Sequence, residues 1–233
     1  MIGWRHTGRV RAGGSAMRRR PLRWMTGQTV MMANHPTLYI LRHGETEWNR
    51  DGRCQGHLDA PLTDLGHEQA RVQGQILRAQ VLPGYPDIQI HVSPLGRTRT
   101  TWGVAAAAAG LSKHPITIEP RLAEVHMGLW QGRLRADFLA EDTRARALPN
   151  LFEVSLAAPG GEGFEALKMR VTDYLAGLTQ PTICVTHGIT SLLLRGLVRG
   201  LTRAEMAGQG HDQGMVYRLK NGSEEKMRAV TQD

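Results

Sequence analysis

Arginine and histidine follow three short apolar segments of this sequence. Arg42 and His43 come at the end of TLYILRH, and Arg97 comes after IQIHVSPLG. His187 ends TICVTH and is followed by Gly188. A guanidinium group stays charged at neutral pH and presents a planar set of donors that suits phosphate or carboxylate. An unprotonated imidazole can attack phosphorus and carry a phosphoryl group. Brought together, these side chains would form a site for an anion and for phosphoryl transfer.

The pattern of apolar residues predicts elements that would bring these side chains together. Short β-branched or apolar runs indicate strands over 37–42, 88–93, 116–120, 182–187 and 215–220. Helical periodicity and capping residues indicate helices over 63–79, 97–109 and 162–178, and another after Gly188. Strands that alternate with helices predict a layered α/β fold with a largely parallel sheet. Ligands of such sheets bind at the carboxyl ends of the strands, where the arginines and histidines fall.

The positive charge of the chain is concentrated before the first predicted strand. The 233 residues carry a formal net charge of +8, and residues 1–34 contain seven arginines but no lysine, aspartate or glutamate. Subtracting seven from eight leaves about +1 for the remainder, which does not indicate a nucleic-acid-binding body. We therefore expect a basic, disordered N-terminal extension over 1–34 and one domain over 35–233. A targeting segment and an anion-binding arm are the alternatives for the extension.

The cysteines and the apolar runs indicate the setting in which the protein acts. Cys54 and Cys184 form no CxxC pair, and neither begins a Cys-x5-Arg phosphate loop. No run approaches the ~18 consecutive apolar residues that a membrane-spanning helix needs. We expect a cytoplasmic protein without disulfides, with no nucleic-acid or membrane partner, as a monomer or a homodimer.

The same residue types could instead bind a metal ion. Two histidines and a carboxylate such as Glu45 or Glu124 would make a zinc ligand set. Two guanidinium groups beside the ion would repel it, so a metal-free site is the expectation. Glu124 is then a candidate general acid, although a glutamate is more often an exposed surface residue. Ser93 and Thr98, on either side of Arg97, are candidate hydroxyl donors to the anion.

Taken in order, six segments of the chain resemble those of the histidine phosphatase superfamily, which also contains the cofactor-dependent phosphoglycerate mutases. The segments are LRHGETEWN, GRCQGHLDAPLTDLGHEQA, SPLGRTRTT, EVHMGLWQG, PGGEGFEAL and VTHG, and they span residues 37 to about 190. The resemblance implies a three-layer α/β/α sandwich with a mixed, mostly parallel sheet. It also implies that the reaction uses no metal, and for a phosphatase of this family we expect no cofactor.

The resemblance further implies a role for each matching residue. His43 would be the nucleophile that forms a phosphohistidine, and Glu124 would be the general acid and base. The phosphoryl group would be held at positions that match the binding residues of the family: Arg42, Gly44, Asn49, Arg97, His187 and Gly188. The chain departs from the family's pattern at Thr100, His126 and Gly163, which concerns substrate contacts more than phosphoryl transfer.

The resemblance covers both phosphatases and mutases. The mutases carry a long insertion after the acid loop, whereas Glu124 and Glu162 are only 38 positions apart in this chain. The segment GHLDAPLT is also more similar to the phosphatases. We therefore expect a metal-independent phosphomonoesterase that acts on a small phosphorylated metabolite. A phosphoglycerate mutase and a non-catalytic anion-binding module are the alternatives.

The segment after the acid loop contains four arginines whose role the sequence leaves open. In one interpretation they contact a second acidic group of the substrate. In the favoured interpretation they pair with neighbouring carboxylates on an exposed helix. The arginines are Arg133, Arg135, Arg144 and Arg146, and the carboxylates are Asp137, Glu141 and Asp142. Further along the chain, the rim of the site has two candidates, which are His211 and Asp212.

Overall fold

A computed structural model describes residues 35–229, so the expected extension over 1–34 lies outside the described residues. Six strands form one sheet at the centre of this structure. They are β1 (Leu38–Arg42), β2 (Gln89–Val92), β3 (Thr117–Ile118), β4 (Thr182–Thr186), β5 (Val216–Lys220) and β6 (Ser223–Met227). Their order across the sheet is β3-β2-β4-β1-β5-β6. All five strands predicted from the sequence are therefore present.

Four of the strands run in the same direction at the centre and at one edge of the sheet. β1 is parallel to β4, and β2 is parallel to both β4 and β3. β5 runs antiparallel to β1, and β6 runs antiparallel to β5. All five residues of β4 are buried, because both faces of a parallel sheet are covered by helices. The predicted mixed, mostly parallel sheet is confirmed.

The helices of residues 35–229 cover both faces of this sheet. They are α1 (Glu47–Arg50), α2 (Asp64–Gln80), α3 (Gly96–Ala109), α4 (Arg135–Glu141), α5 (Thr143–Arg146), α6 (Leu151–Leu156), α7 (Gly163–Ala176), α8 (Gly188–Arg199) and α9 (Arg203–Ala207). Leu38 and Ile40 of β1 pack with α7 and α8, whereas Tyr39 and Leu41 pack with α2 and α3. Successive strand residues point to opposite faces, so the alternation gives two cores and confirms the three-layer sandwich. None of the helices in the described part of the chain is long and apolar enough to cross a bilayer.

The predicted helices begin and end at residues suited to those positions. Thr63 caps α2, because its hydroxyl accepts a hydrogen bond from the Gly66 N–H at 3.0 Å. Gly110 ends α3 in the left-handed conformation, with φ of 80°. The charged segment after the acid loop forms two short helices instead of one. The Asp142 carboxylate separates them, because it accepts hydrogen bonds from the first N–H groups of α5.

β6 has no counterpart among the strands predicted from the sequence. Its sequence, SEEKM, is mostly charged because β6 is an edge strand, with exposed residues alternating with partly buried ones. A signal for it was nevertheless present in the two residues before it. Asn221 and Gly222 adopt φ of 53° and 73°, as the two central residues of a tight hairpin turn do.

The turn after β1 packs directly on the first turn of α2. A Cβ atom at Gly44 would overlap the Gly66 carbonyl oxygen, and a Cβ atom at Gly66 would overlap the Glu45 carbonyl oxygen. Only glycine allows the two backbone segments to approach this closely. This contact fixes the direction in which the chain leaves β1 after His43.

Replacing one of these glycines tests the backbone contact. We expect Gly66→Ala to lower the free energy of unfolding by about 1–3 kcal/mol, because the added methyl group forces the turn away from α2. Gly103→Ala is the matched control, since Gly103 is also helical and a Cβ atom there meets no atom within 4 Å. That variant should be more stable than the wild type by about 0.5–1 kcal/mol. Urea denaturation would measure both, and a change of the same sign and size in the two variants would contradict the proposed contact.

Candidate active site

The carboxyl ends of β1, β2 and β4 meet at one edge of the sheet, because these neighbouring strands are parallel. β1 ends at Arg42, which is followed by His43, and β4 leads into α8 through His187. β2 leads into α3, whose second residue is Arg97. Arg42, His43 and Arg97 line one pocket together with Glu124. His187 is fully buried, and its ring centre lies 5.2 Å from that of His43.

The geometry of His43 keeps one ring nitrogen free. Nδ1 lies 2.8 Å from the Gly44 carbonyl oxygen, which can only accept a hydrogen bond, so Nδ1 carries the proton and Nε2 keeps its lone pair. Burial holds the pKa of His43 well below its ordinary range, and the charges of Arg97 and Arg42 lower it further. The imidazole is therefore neutral at physiological pH, which is the form that a nucleophile needs.

His187 is held in place by the Ser93 hydroxyl, which the sequence made a candidate donor to the anion. Nε2 of His187 lies 2.7 Å from Ser93 Oγ, and Nδ1 is buried without a partner among the described residues. Burial holds its pKa well below the ordinary range, with a further contribution from Arg97. The predicted donor Thr98 donates to the Ser93 carbonyl oxygen at 3.0 Å. Ser93 thus orients the His187 ring, and Thr98 in turn holds the Ser93 backbone.

Arg97 is buried and is held by a loop that follows α1. Its guanidinium donates to the carbonyl oxygens of Gly56 and Leu58, both at 2.8 Å, and to the Asp59 carboxylate at 2.8 Å. Asp59 also accepts a hydrogen bond from the Gly96 N–H at 2.6 Å, at the first turn of α3. One carboxylate therefore stabilises both the buried guanidinium and the helix terminus that carries it.

Arg42 and Arg97 each have an unused hydrogen-bond donor. Nε of Arg42 and Nε of Arg97 are buried and have no hydrogen-bond partner within residues 35–229. A different nitrogen of Arg42, Nη1, donates to the His211 carbonyl oxygen at 2.7 Å. Burial lowers the pKa of both guanidinium groups, because a charge is less stable away from water. An anion that accepts these free hydrogen bonds would relieve that penalty.

Glu124 is almost fully buried and lies at the N-terminus of α8, so it is not an ordinary surface glutamate. Its carboxylate accepts hydrogen bonds from the N–H groups of Val125, Ile189 and Thr190 at 3.0–3.1 Å, and from the Thr190 hydroxyl at 3.1 Å. The helix dipole adds to this stabilisation of a negative group. These contacts hold the carboxyl group in the same pocket as His43.

The remaining predicted positions divide between the pocket and its support. Asn49 lines the pocket, and its amide oxygen accepts hydrogen bonds from the Thr46 N–H at 3.2 Å and from Gln213 at 3.3 Å, which leaves its NH2 group for a ligand. Gly188 also lines the pocket, beside the Arg42 guanidinium. Gly44 does not, because its N–H donates to Thr101 Oγ1 at 3.0 Å. The geometry thus gives Gly44 a packing role, and its phosphate contact stays a prediction.

The family model of the histidine phosphatase superfamily (branch 1) matches residues 38–231. The chain belongs to this superfamily. It is 33% identical over 169 residues to a protein of Photorhabdus laumondii named "Probable phosphoglycerate mutase GpmB", which covers 70% of this chain and 75% of that protein.

Solved structures of this superfamily agree with the fold. The alpha-ribazole phosphatase from Shigella flexneri is 26% identical and superposes with a TM-score of 0.65, covering 84% of this chain and 96% of that structure. A mycobacterial glucosyl-3-phosphoglycerate phosphatase is also 26% identical, with a TM-score of 0.63 and coverage of 79% and 92%. The similarity therefore includes proteins named as phosphatases and as mutases.

Other residues of this histidine phosphatase pocket were not singled out from the sequence. They include Arg53, Gln55, Met127, Leu151, Ser155 and Ile189. Gln55 supports the site, since it donates to Thr46 Oγ1 at 2.9 Å. His211, predicted for the rim, does line the pocket, whereas Asp212 forms an ion pair with Lys226. The motif GRCQG could have indicated Arg53 and Gln55 as pocket residues. Leu151 and Ser155 lie on α6, where the sequence shows nothing beyond helical spacing.

The alternative zinc site is not assembled in this geometry. No group of three histidine, cysteine or carboxylate side chains in the described part of the chain could hold a metal ion. Glu45, one of the two proposed ligands, accepts a hydrogen bond from Thr63 Oγ1 at 2.9 Å. The other, Glu124, is bound by the first N–H groups of α8.

The neutral state of His43 predicts how stability depends on pH. The pKa of a histidine in the unfolded chain is about 6.5, and that of folded His43 lies well below its ordinary value. Below about pH 6.5 the unfolded chain binds more protons, so the free energy of unfolding falls as the pH falls. Each such histidine contributes a slope of up to about 1.4 kcal/mol per pH unit. We expect His43→Gln to remove about one such contribution between pH 6.5 and 5.5, measured by urea denaturation.

The matched control is His67, which is exposed on α2. His67→Gln should keep the wild-type slope, because His67 is exposed and lies outside the pocket. If His43→Gln and the wild type had the same slope, His43 would not be a neutral buried group in the folded protein.

Proposed function

We propose that this protein is a phosphomonoester hydrolase that forms a transient phosphohistidine on His43. The observation that carries the proposal is the neutral His43 imidazole, with Nε2 unprotonated, beside two guanidinium groups that have unused donors. Membership of the histidine phosphatase superfamily supports the same chemistry. The substrate would be a small phosphorylated metabolite, since the pocket lies between loops at one edge of the sheet.

In the first step the Nε2 lone pair of His43 attacks phosphorus. The P–N bond forms as the P–O bond to the alcohol breaks, and Arg42, Arg97, His187 and Asn49 hold the phosphoryl oxygens. Glu124, in its protonated form, donates its proton to the departing alcohol oxygen. The guanidinium groups stabilise the charge that develops on the phosphoryl group, so the reaction needs no metal ion in this proposal.

In the second step water hydrolyses the phosphohistidine. The Glu124 carboxylate accepts one proton from the attacking water molecule, and the P–N bond breaks as the new P–O bond forms. Inorganic phosphate leaves, His43 is neutral again and Glu124 is again protonated. The hydrogen bonds that Glu124 accepts from α8 support both roles, because they hold its carboxyl group in the pocket.

A phosphoglycerate mutase is the second candidate, because relatives about one-third identical are named as mutases. A mutase keeps the departing monophosphate and phosphorylates it again, which requires a pocket that closes against water. The 37 residues between Glu124 and Glu162 leave no room for the long insertion expected of the family's mutases. This short connection favours hydrolysis.

The two buried free thiols are consistent with the proposed cytoplasmic setting.

Turnover of p-nitrophenyl phosphate tests the nucleophile. We expect the wild type to release phosphate equally with and without EDTA, and His43→Ala to lose more than about a thousandfold in kcat, because the attacking nitrogen is absent. His67→Ala is the control for histidine removal and should retain wild-type activity. Turnover that persists in His43→Ala would contradict the phosphohistidine, and turnover abolished by EDTA would favour a metal-dependent reaction.

The leaving group tests Glu124. An alkyl alcohol must be protonated as it departs, whereas p-nitrophenolate leaves readily as an anion. Glu124→Gln should therefore lower the rate of phosphohistidine formation from glycerol 3-phosphate by about 100-fold or more, and that from p-nitrophenyl phosphate much less. Rapid-quench measurement of the phosphoenzyme would give both rates. Equal losses with the two esters would contradict the general-acid role.

Product analysis separates hydrolysis from isomerisation. The wild type is incubated with 3-phosphoglycerate and a catalytic amount of 2,3-bisphosphoglycerate. We expect net release of inorganic phosphate. Formation of 2-phosphoglycerate without release of phosphate would establish the mutase instead, and binding without either reaction would favour a non-catalytic anion-binding module.

A further inference from the structure

The four arginines after the acid loop have different environments. Arg133 forms an ion pair with Glu141 at 2.6 Å, and Arg144 and Arg146 are exposed. Arg135 differs from these three, because it lines the same pocket as His43. The structure thus separates the two interpretations of the sequence, since Arg133 belongs to an ion-paired surface and Arg135 belongs to the site.

Arg135 is fastened to the pocket by backbone pairing. Its N–H donates to the Gly52 carbonyl oxygen at 3.0 Å, and Arg53 and Leu134 form an antiparallel bridge next to it. The Cys54 N–H also donates to the Arg133 carbonyl oxygen, at 2.9 Å. These bonds hold Arg53 and Arg135 side by side along the pocket, and we call these two lining residues the arginine wall.

The arginine wall has positive charge that no carboxylate neutralises. Neither Arg53 nor Arg135 forms an ion pair with another described residue, and Nε of Arg135 is buried without a hydrogen-bond partner there. Arg53 donates to the Gly132 carbonyl oxygen at 2.5 Å and lies over the Trp48 ring. Cys54 is a hydrogen-bonding neighbour of Arg135, but it offers no negative charge, because burial raises the pKa of its thiol more than Arg135 lowers it. The Arg135 side chain as a whole is only partly buried, but its Nε donor is buried and unpaired, and an anionic acceptor would stabilise such a donor.

In the proposed reaction the phosphoryl group of the substrate is not the anion that pairs with the arginine wall. The oxygens on phosphorus are held at the ends of β1, β2 and β4 by Arg42, Arg97 and His187, while the arginine wall is built from two loops. A substrate that spans both places needs a second anionic group. We propose that Arg135, with Arg53 beside it, binds a carboxylate or second phosphate of the substrate, and so selects phosphomonoesters that carry two anionic groups. This inference rests on the proposed function.

A matched set of esters tests the selection. 3-Phosphoglycerate and glycerol 3-phosphate differ only in whether carbon 1 is a carboxylate or a hydroxymethyl group, and glycerol 1,3-bisphosphate has a second phosphate instead. Release of inorganic phosphate gives kcat/KM for each ester. The quantity to compare is kcat/KM for 3-phosphoglycerate or glycerol 1,3-bisphosphate, the two acidic esters, divided by kcat/KM for glycerol 3-phosphate. We expect a wild-type ratio well above one for at least one of the acidic esters, and the ester with the higher ratio identifies the second group.

Substitution of Arg135 assigns the preference to this residue. Arg135→Gln should lower the ratio about tenfold, the effect of one lost charge-assisted hydrogen bond, chiefly through a higher KM for the acidic ester. Arg135→Lys should keep part of the ratio because it keeps the charge. Arg133→Gln is the matched control, since Arg133 lies two residues away and is paired with Glu141. It should leave the ratio unchanged.

The outcomes separate this inference from the proposed function. A wild type that hydrolyses all three esters with ratios near one would overturn the inference and leave the hydrolase standing. An unchanged ratio in Arg135→Gln, or an equal loss in Arg133→Gln, would also overturn it. A wild type that hydrolyses neither these esters nor p-nitrophenyl phosphate would overturn the proposed function itself. Unfolding curves of each variant ensure that the ratios compare folded proteins.

Discussion

Positive charge that is held by backbone carbonyl groups is the constraint on which this structure depends. Arg97 is buried against the carbonyl oxygens of Gly56 and Leu58, and Arg42 is bound to the carbonyl oxygen of His211. Asp59 is the one carboxylate of the described residues that pairs with Arg97, and carbonyl oxygens supply the other contacts of both guanidinium groups. Carbonyl oxygens fix a guanidinium group without removing its charge, whereas a full set of carboxylates would neutralise it. The site therefore keeps its attraction for an anion. Burial keeps both imidazoles neutral, and the same charges reinforce this, because a third positive group beside them would be repelled.

The loops around the sheet serve this charge arrangement. Residues 56–59 position Arg97, residues 211–213 bind Arg42 and the His43 carbonyl oxygen, and residues 52–54 pair with residues 132–135. The parallel strands alone would bring the ends of β1, β2 and β4 to one edge. The pocket becomes specific only when segments from distant parts of the sequence close around that edge. This division between a rigid sheet and specialised loops is common among α/β enzymes.

The strands, the main helices and the central site residues were accessible from the sequence, because each depends on local patterns. Strand ends are marked by apolar runs, and parallel topology brings Arg42, His43 and His187 together without further information. The hydrogen bonds of Glu124 were not accessible, since its partners on α8 lie 65 and 66 residues away. The contacts of Ser93 with His187 and of Gly44 with Thr101 were not accessible for a similar reason, because each joins distant segments of the chain. Charge patterning hid β6 and left Arg133 and Arg135 indistinguishable, since only tertiary pairing separates them.

The position of β1 in the sheet has a consequence for synthesis of the chain. Its two neighbours are β4 and β5, which begin at Thr182 and Val216, so the strand that carries Arg42 and His43 has no partner until most of the chain exists. At about 5–20 residues per second, a ribosome needs roughly 7–30 s to reach β4 after completing β1. During that interval β1 is an apolar segment with unpaired backbone groups, the type of segment that aggregates or recruits chaperones. His43, the proposed nucleophile, is thus translated early and acquires its surroundings last.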